Sequence, residues 1–116
     1  MSIVITYFYS IFITDLLYSI HMSVNLTTIK QKAVPILKEA GVTRSSLFGS
    51  YARGDNKENS DIDMLVEFPR GKGLFAFIGL ERKLEEALHN KVDLVTYKGL
   101  KPRIRNRILS EQVQIL

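Results

Sequence analysis

The stretch SLFGSYARGDNKENSDIDMLVEF, Ser46 to Phe68, places a Gly-Ser pair ten residues ahead of an Asp-x-Asp. Its first part reads as a short strand ending in a turn at Gly49 and Ser50. Its last part, SDIDMLVEF, reads as a second strand, rich in branched residues and bounded by polar turn chemistry. Residues two apart on a strand share a face. Asp61 and Asp63 therefore stand side by side, roughly 7 Å apart at Cα. Ile62, Met64 and Val66 turn to the opposite, core face.

Neighbouring carboxylates repel and desolvate each other, which is costly on a half-buried strand unless a cation sits between them. Mg²⁺ suits such a pair, since it joins carboxylates to substrate phosphates. Asp pairs at strand ends also commonly just face water, and by themselves these two residues do not choose. The turn is similarly open. Gly49 has no Cβ, so an anion can approach its backbone. Ser50 begins a helical turn, SYAR, whose free N–H groups and hydroxyl would favour phosphate. Alone, Gly-Ser before a helix is better read as a turn and a cap. Neither G-x-x-x-x-G-K-[ST] nor G-x-G-x-x-G is present. A calcium loop starting at Asp55 fails at Lys57, Ser60 and Val66, where oxygen, glycine and glutamate are required.

A third carboxylate changes the balance. KVDLVTY reads as another short strand, with Asp93 between Val92 and Leu94. A lone carboxylate in an apolar strand needs a reason. If this strand lies beside the one carrying Asp61 and Asp63, three carboxylates converge. That suits two Mg²⁺ ions clamping an in-line phosphoryl displacement. Asp93 is then the candidate to take the proton of an attacking hydroxyl.

The rest of the chain supplies a frame. Leu26, Ile29, Ala33, Ile36, Leu37 and Ala40 follow a helical period. Asn25 or Thr27 can cap its start and Gly41 its end. Pro35 predicts a kink or a later start. GKGLFAFIGLERKLEEALHN predicts an amphipathic helix with Leu74, Phe77, Ile78, Leu84 and Leu88 inward. Pro102 opens a last helix to about Leu109, and VQIL follows as extended chain. The expected fold is a small α/β layer, with helices covering a short sheet.

The chain has 116 residues, room for one compact domain, with no cysteine and a net charge of +4. Disulfides, thiolate metal sites and Cys nucleophiles are thereby excluded. The mild basic excess permits anionic partners without requiring them. Residues 1–21 hold one charged residue, Asp15, and the remainder holds all 16 basic residues. This apolar leader is read as an upstream extension, with Met22 as the natural start and residues 22–116 as the domain. A membrane tail is the minor alternative, because Asp15 and scattered Ser and Thr dilute the run and no basic cluster flanks it. A signal peptide lacks its positive n-region. A cytoplasmic protein is expected.

Gly49, Ser50, Asp61, Ile62 and Asp63, with the later Asp93, resemble the polymerase β nucleotidyltransferase superfamily. The string FGSYARGDNKENSDIDMLVEF is similar to its minimal members, the MNT domains, and the resemblance runs from about Ile29 to the C-terminus. It implies a polymerase β-type nucleotidyltransferase fold, α/β with α+β character and a small mixed sheet flanked by helices, and transfer of a nucleoside monophosphate from an NTP to a hydroxyl with release of pyrophosphate. It implies that Gly49 and Ser50 hold the phosphates, that Asp61 and Asp63 bind metal, and that Asp93 completes the triad. Arg53 could reach the triphosphate or pair with Asp55 or Glu58. Many such small proteins are antitoxins that add AMP from ATP to a tyrosine of a HEPN RNase toxin. The implied cofactor is Mg²⁺, the implied partners are ATP and such a toxin in a hetero-oligomer, and no DNA or membrane partner is implied. A non-catalytic binding module, or transfer to tRNA, a metabolite or an antibiotic, is the competing reading. The run KGLKPRIRNR is read as a solvated helix face with Leu100, Ile104 and Ile108 inward rather than a docking surface. Tyr51 either packs beside a nucleotide or lines the turn. His21 and His89 have no metal-ligand spacing.

Overall fold

The computed structural model describes residues 25–116. The readings of residues 1–21, Met22 and His21 fall outside the described residues. Helix α1 spans Leu26–Glu39, and the Asn25 side chain accepts the Thr28 N–H at 2.9 Å. Ile29, Ala33 and Leu37, spaced by one turn, are fully buried. Pro35 lies inside the helix. Its side is exposed, so water can satisfy the carbonyl left without a donor. The helix therefore neither starts late nor stops there. It ends in a Schellman motif, in which the Val42 N–H donates to Leu37 and the left-handed Gly41 to Lys38.

Strand β1, Arg44–Phe48, runs into the short helix α2, Gly49–Arg53. Strand β2 is Ile62–Glu67, helix α3 is Leu74–Leu88, and strand β3 is Val92–Thr96. A 3₁₀ turn, Tyr97–Gly99, leads to helix α4, Pro102–Glu111, and to β4, Val113–Gln114. The sheet order is β3-β2-β1-β4. β1 is antiparallel to β2 and to β4, whereas β2 and β3 are parallel. A mixed sheet flanked by helices is thus the observed architecture.

β2 is a central strand buried on both faces. Ile62, Met64 and Val66 pack against Ile29, Ala33 and Leu37 of α1 and Leu80, Leu84 and Leu88 of α3. On the other face Leu65 meets Tyr97, Leu100 and Ile108. That second core carries polar buttresses. The Ser45 hydroxyl donates to the Leu65 carbonyl at 2.7 Å, and the Tyr97 hydroxyl donates to Ser46 at 2.9 Å. The Arg44 guanidinium lies 3.9 Å from the Tyr97 ring centre.

Two expected core faces are corrected. In α3 the inward stripe is Phe77, Leu80, Leu84 and Leu88, while Leu74 and Ile78 are exposed with Phe75. Leu100, ahead of α4, and Ile108 within it do turn inward, but Ile104 is exposed. Among the described residues no helix is long and apolar enough to cross a membrane.

Candidate active site

The parallel pairing of β2 and β3 sets Asp63 directly beside Asp93 in register. In-register neighbours on adjacent strands present their side chains to the same face. Asp63 lies one step from Leu65 on the face covered by α4, and it remains half-buried where that cover stops. Asp93 is exposed, flanked by the inward Val92 and Leu94. The burial cost expected for Asp93 is therefore not what distinguishes it; its register with Asp63 is. Asp61 precedes the strand and is exposed, 3.9 Å from the Lys91 ammonium.

The Asp63 carboxyl is pushed up to about 6, first by burial and then by the charges of Asp93 and Asp61. Glu111 adds to the rise, and Arg53 opposes it. A hard divalent cation would relieve this repulsion, and an all-oxygen donor set suits Mg²⁺. The residues fit such an ion in chemistry and charge. Among the described residues, however, no three acidic, His or Cys side chains converge into a ready-made metal cage. Water and substrate phosphate would have to complete the coordination, as is usual for Mg²⁺.

Gly49 sits against this cluster. Its φ is +71°, and a Cβ there would overlap the Asp63 Oδ2 and lie 3.1 Å from its Cγ. The missing side chain thus makes room first for Asp63, not for an approaching anion. The five-residue α2 is also too short for its dipole to carry the phosphate argument. What the turn offers is a directed donor pair, the Gly49 N–H and the Arg53 guanidinium. Both already hold a carboxylate. Gly49 N–H donates to Glu111 Oε1 at 3.3 Å, and Arg53 Nη1 donates to Glu111 Oε1 and Oε2 at 3.3 and 3.4 Å. Arg53 Nε donates to Asp55 at 3.2 Å, the pairing expected from sequence. Ser50 follows Gly49 in α2, and its carbonyl accepts the N–H groups of Gly54 and Asp55.

Tyr51 is a core residue whose hydroxyl accepts from the Asn90 amide at 2.9 Å. It lines the turn from beneath. His89 is exposed and caps α3 in a left-handed conformation. Sequence reasoning missed Glu111, which lies 62 positions from Gly49. No local spacing could have linked them, since α4 is brought to the turn by tertiary packing on Leu65 and Tyr97 and by the pairing of β4 with β1.

The sequence profile of the nucleotidyltransferase domain family matches residues 30–115. A Methanocaldococcus jannaschii protein, provisionally named a protein adenylyltransferase, is 50% identical over 92 residues, covering 79% of this chain and 99% of its own. The protein adenylyltransferase MntA of Thermococcus cleftensis is 45% identical over 75 residues, covering 65% of this chain and 76% of its own. A crystal structure of a toxin–antitoxin with AMP-PNP is similar at a TM-score of 0.66 and 28% identity, over 75% of this chain and 72% of that one.

Proposed function

The chain belongs to the nucleotidyltransferase domain family, and from that premise we propose that it transfers AMP from ATP to a tyrosine of a HEPN-type toxin, silencing it as an antitoxin. The carrying observation is the in-register Asp63–Asp93 pair beside the donor pair of Gly49 and Arg53. Relatives named as protein adenylyltransferases and a toxin–antitoxin neighbour with AMP-PNP support the same reading.

In this reading Gly49, Ser50 and Arg53 hold the phosphates, and Asp61, Asp63 and Asp93 hold Mg²⁺. When bound, the ions neutralise charge on the phosphates and favour the ionised acceptor oxygen. The acceptor tyrosine oxygen forms a bond to the α-phosphorus, and the bond from that phosphorus to the pyrophosphate oxygen breaks. Pyrophosphate leaves with the electron pair. Asp93, the exposed member of the pair, accepts the tyrosine proton. Arg53 spreads positive charge over the departing phosphates.

The test incubates the purified protein with α-labelled ATP, Mg²⁺ and a HEPN-type toxin, sought first among the products of neighbouring genes. Label is expected on the toxin, and on a tyrosine within it. Equal labelling by wild type and by the Asp61→Ala/Asp63→Ala variant would refute the assignment. Protection from toxicity by that variant, undiminished, would point instead to neutralisation by contact alone.

A further inference from the structure

Gly49 N–H and both Nη1 contacts of Arg53 converge on one carboxylate, that of Glu111 at the end of α4. The second edge of Arg53 is engaged by Asp55. The Gly49 N–H and the Nη1 and Nε groups of Arg53, donors that a triphosphate would use at this turn, are therefore already committed to internal anions. We infer that Glu111 is an affinity-determining residue of the nucleotide site, a carboxylate that occupies the phosphate position and must be displaced by the incoming triphosphate. This rests on the reading of Gly49, Ser50 and Arg53 as the phosphate-holding residues.

Three observations favour displacement over a fixed structural tie. The contacts measure 3.3 to 3.4 Å, at the long end for charge-assisted hydrogen bonds. The Gly49 N–H has one hydrogen, so a phosphate oxygen cannot share it with Glu111 on equal terms. The backbone after Glu111 is fixed, because Val113 and Gln114 pair with Leu47 and Ser46. Release therefore needs only a turn of the Glu111 side chain, with α4 left in place. Once turned away, Glu111 leaves Arg53 positive charge available to the phosphates, and the acidic cluster loses a repulsive neighbour. Glu111 thereby sets how much nucleotide is required to fill the site.

Isothermal titration of wild type, Glu111→Gln and Glu111→Ala with ATP and Mg²⁺ tests this, with adenosine as the phosphate-free control. Gln keeps the shape and removes the charge; Ala removes both, and thermal melts verify that each variant is folded. The dissociation constant for ATP is expected to fall roughly three- to tenfold in both variants, as expected for removing one like charge near the phosphates. Adenosine affinity should not change. If wild type binds ATP and neither variant binds it more tightly, this inference fails while the nucleotide site stands. If adenosine binding tightens equally, the effect does not lie at the phosphates and the inference also fails. If neither wild type nor the variants bind ATP, the phosphate-binding reading itself is overturned, and this inference with it.

Discussion

Asp63 of β2 and Asp93 of β3 are direct neighbours across a parallel strand pair, with Gly49 closing over the first of them. Two carboxylates held this way repel each other in the metal-free protein. The Asp63 carboxyl rises to about 6 from its ordinary 3.8, with burial as the leading cause. A carboxyl raised on folding contributes stability that is fully present below about pH 4 and is lost as pH rises toward 6. Asp63→Asn removes that loss. In chelator-treated protein its melting temperature should exceed wild type above pH 7 and converge with it near pH 4. Because Asp63 is half-exposed, solvent screening reduces the gain to about 1 kcal/mol, or about 4–8 °C in a domain of this size. Parallel melting curves at several pH values check it.

Mg²⁺ should reverse the order. A cation beside Asp63 and Asp93 offsets their repulsion, so millimolar Mg²⁺ raises the melting temperature of wild type through binding linkage. The shift should largely vanish in Asp63→Asn/Asp93→Asn. A shift of equal size in that double variant would place the ion elsewhere.

Asp93→Asn separates chemistry from folding. The side chain is exposed, so its loss should leave the melting temperature unchanged or slightly raised. Labelling of the toxin should nonetheless fall about 10²- to 10⁴-fold if Asp93 takes the acceptor proton. Single-turnover labelling beside a thermal melt reads both quantities.

The same residues show how far the sequence was legible. Asp61, Asp63 and Asp93 were visible because carboxylates stand out against apolar strands, and a short sheet covered by helices followed from strand-length runs and helical periods, whereas its mixed strand directions were implied only by the family resemblance. Register was not visible. Nothing in KVDLVTY says that Asp93 meets Asp63 and not its neighbour; that depends on how α3 returns the chain. Leu74 and Ile78 misled for a related reason: periodicity marks an apolar stripe but not which of its residues the rest of the fold covers. Gly49 was found, but for another purpose, because its close contact with Asp63 is a tertiary fact. Glu111 was hidden altogether, as the one acid at the end of a basic helix.

Gly49→Ala should be far more damaging than a methyl group suggests. The new Cβ would overlap the Asp63 carboxylate, and the left-handed φ of +71° adds strain. A loss of about 1–3 kcal/mol is expected, with labelling abolished. The double variant Gly49→Ala/Asp63→Ala removes the overlap and keeps only the strain. Its destabilisation should therefore be smaller than the sum of the singles, and a urea-melt cycle measures the coupling.

Tyr97 and Ser46 test the layer that carries α4 to the site. Tyr97 is buried under the second face of the sheet, and its hydroxyl donates to the fully buried Ser46 hydroxyl at 2.9 Å. Tyr97→Phe keeps the ring, and so the contact with Arg44, but leaves Ser46 without that donor. An unsatisfied buried hydroxyl costs about 1–3 kcal/mol, so the melting temperature should drop by several degrees. Adding Ser46→Ala removes the orphaned group and should recover part of the loss, although a small cavity remains. Recovery would show that the hydrogen bond, not ring packing, accounts for the cost. Because Leu100 and Ile108 rest on the same cluster, loosening Tyr97 should also weaken the hold of Glu111 on Gly49 and Arg53. In the Tyr97→Phe protein, hydrogen exchange at the Gly49 amide should therefore be faster than in wild type, and restored in the double variant.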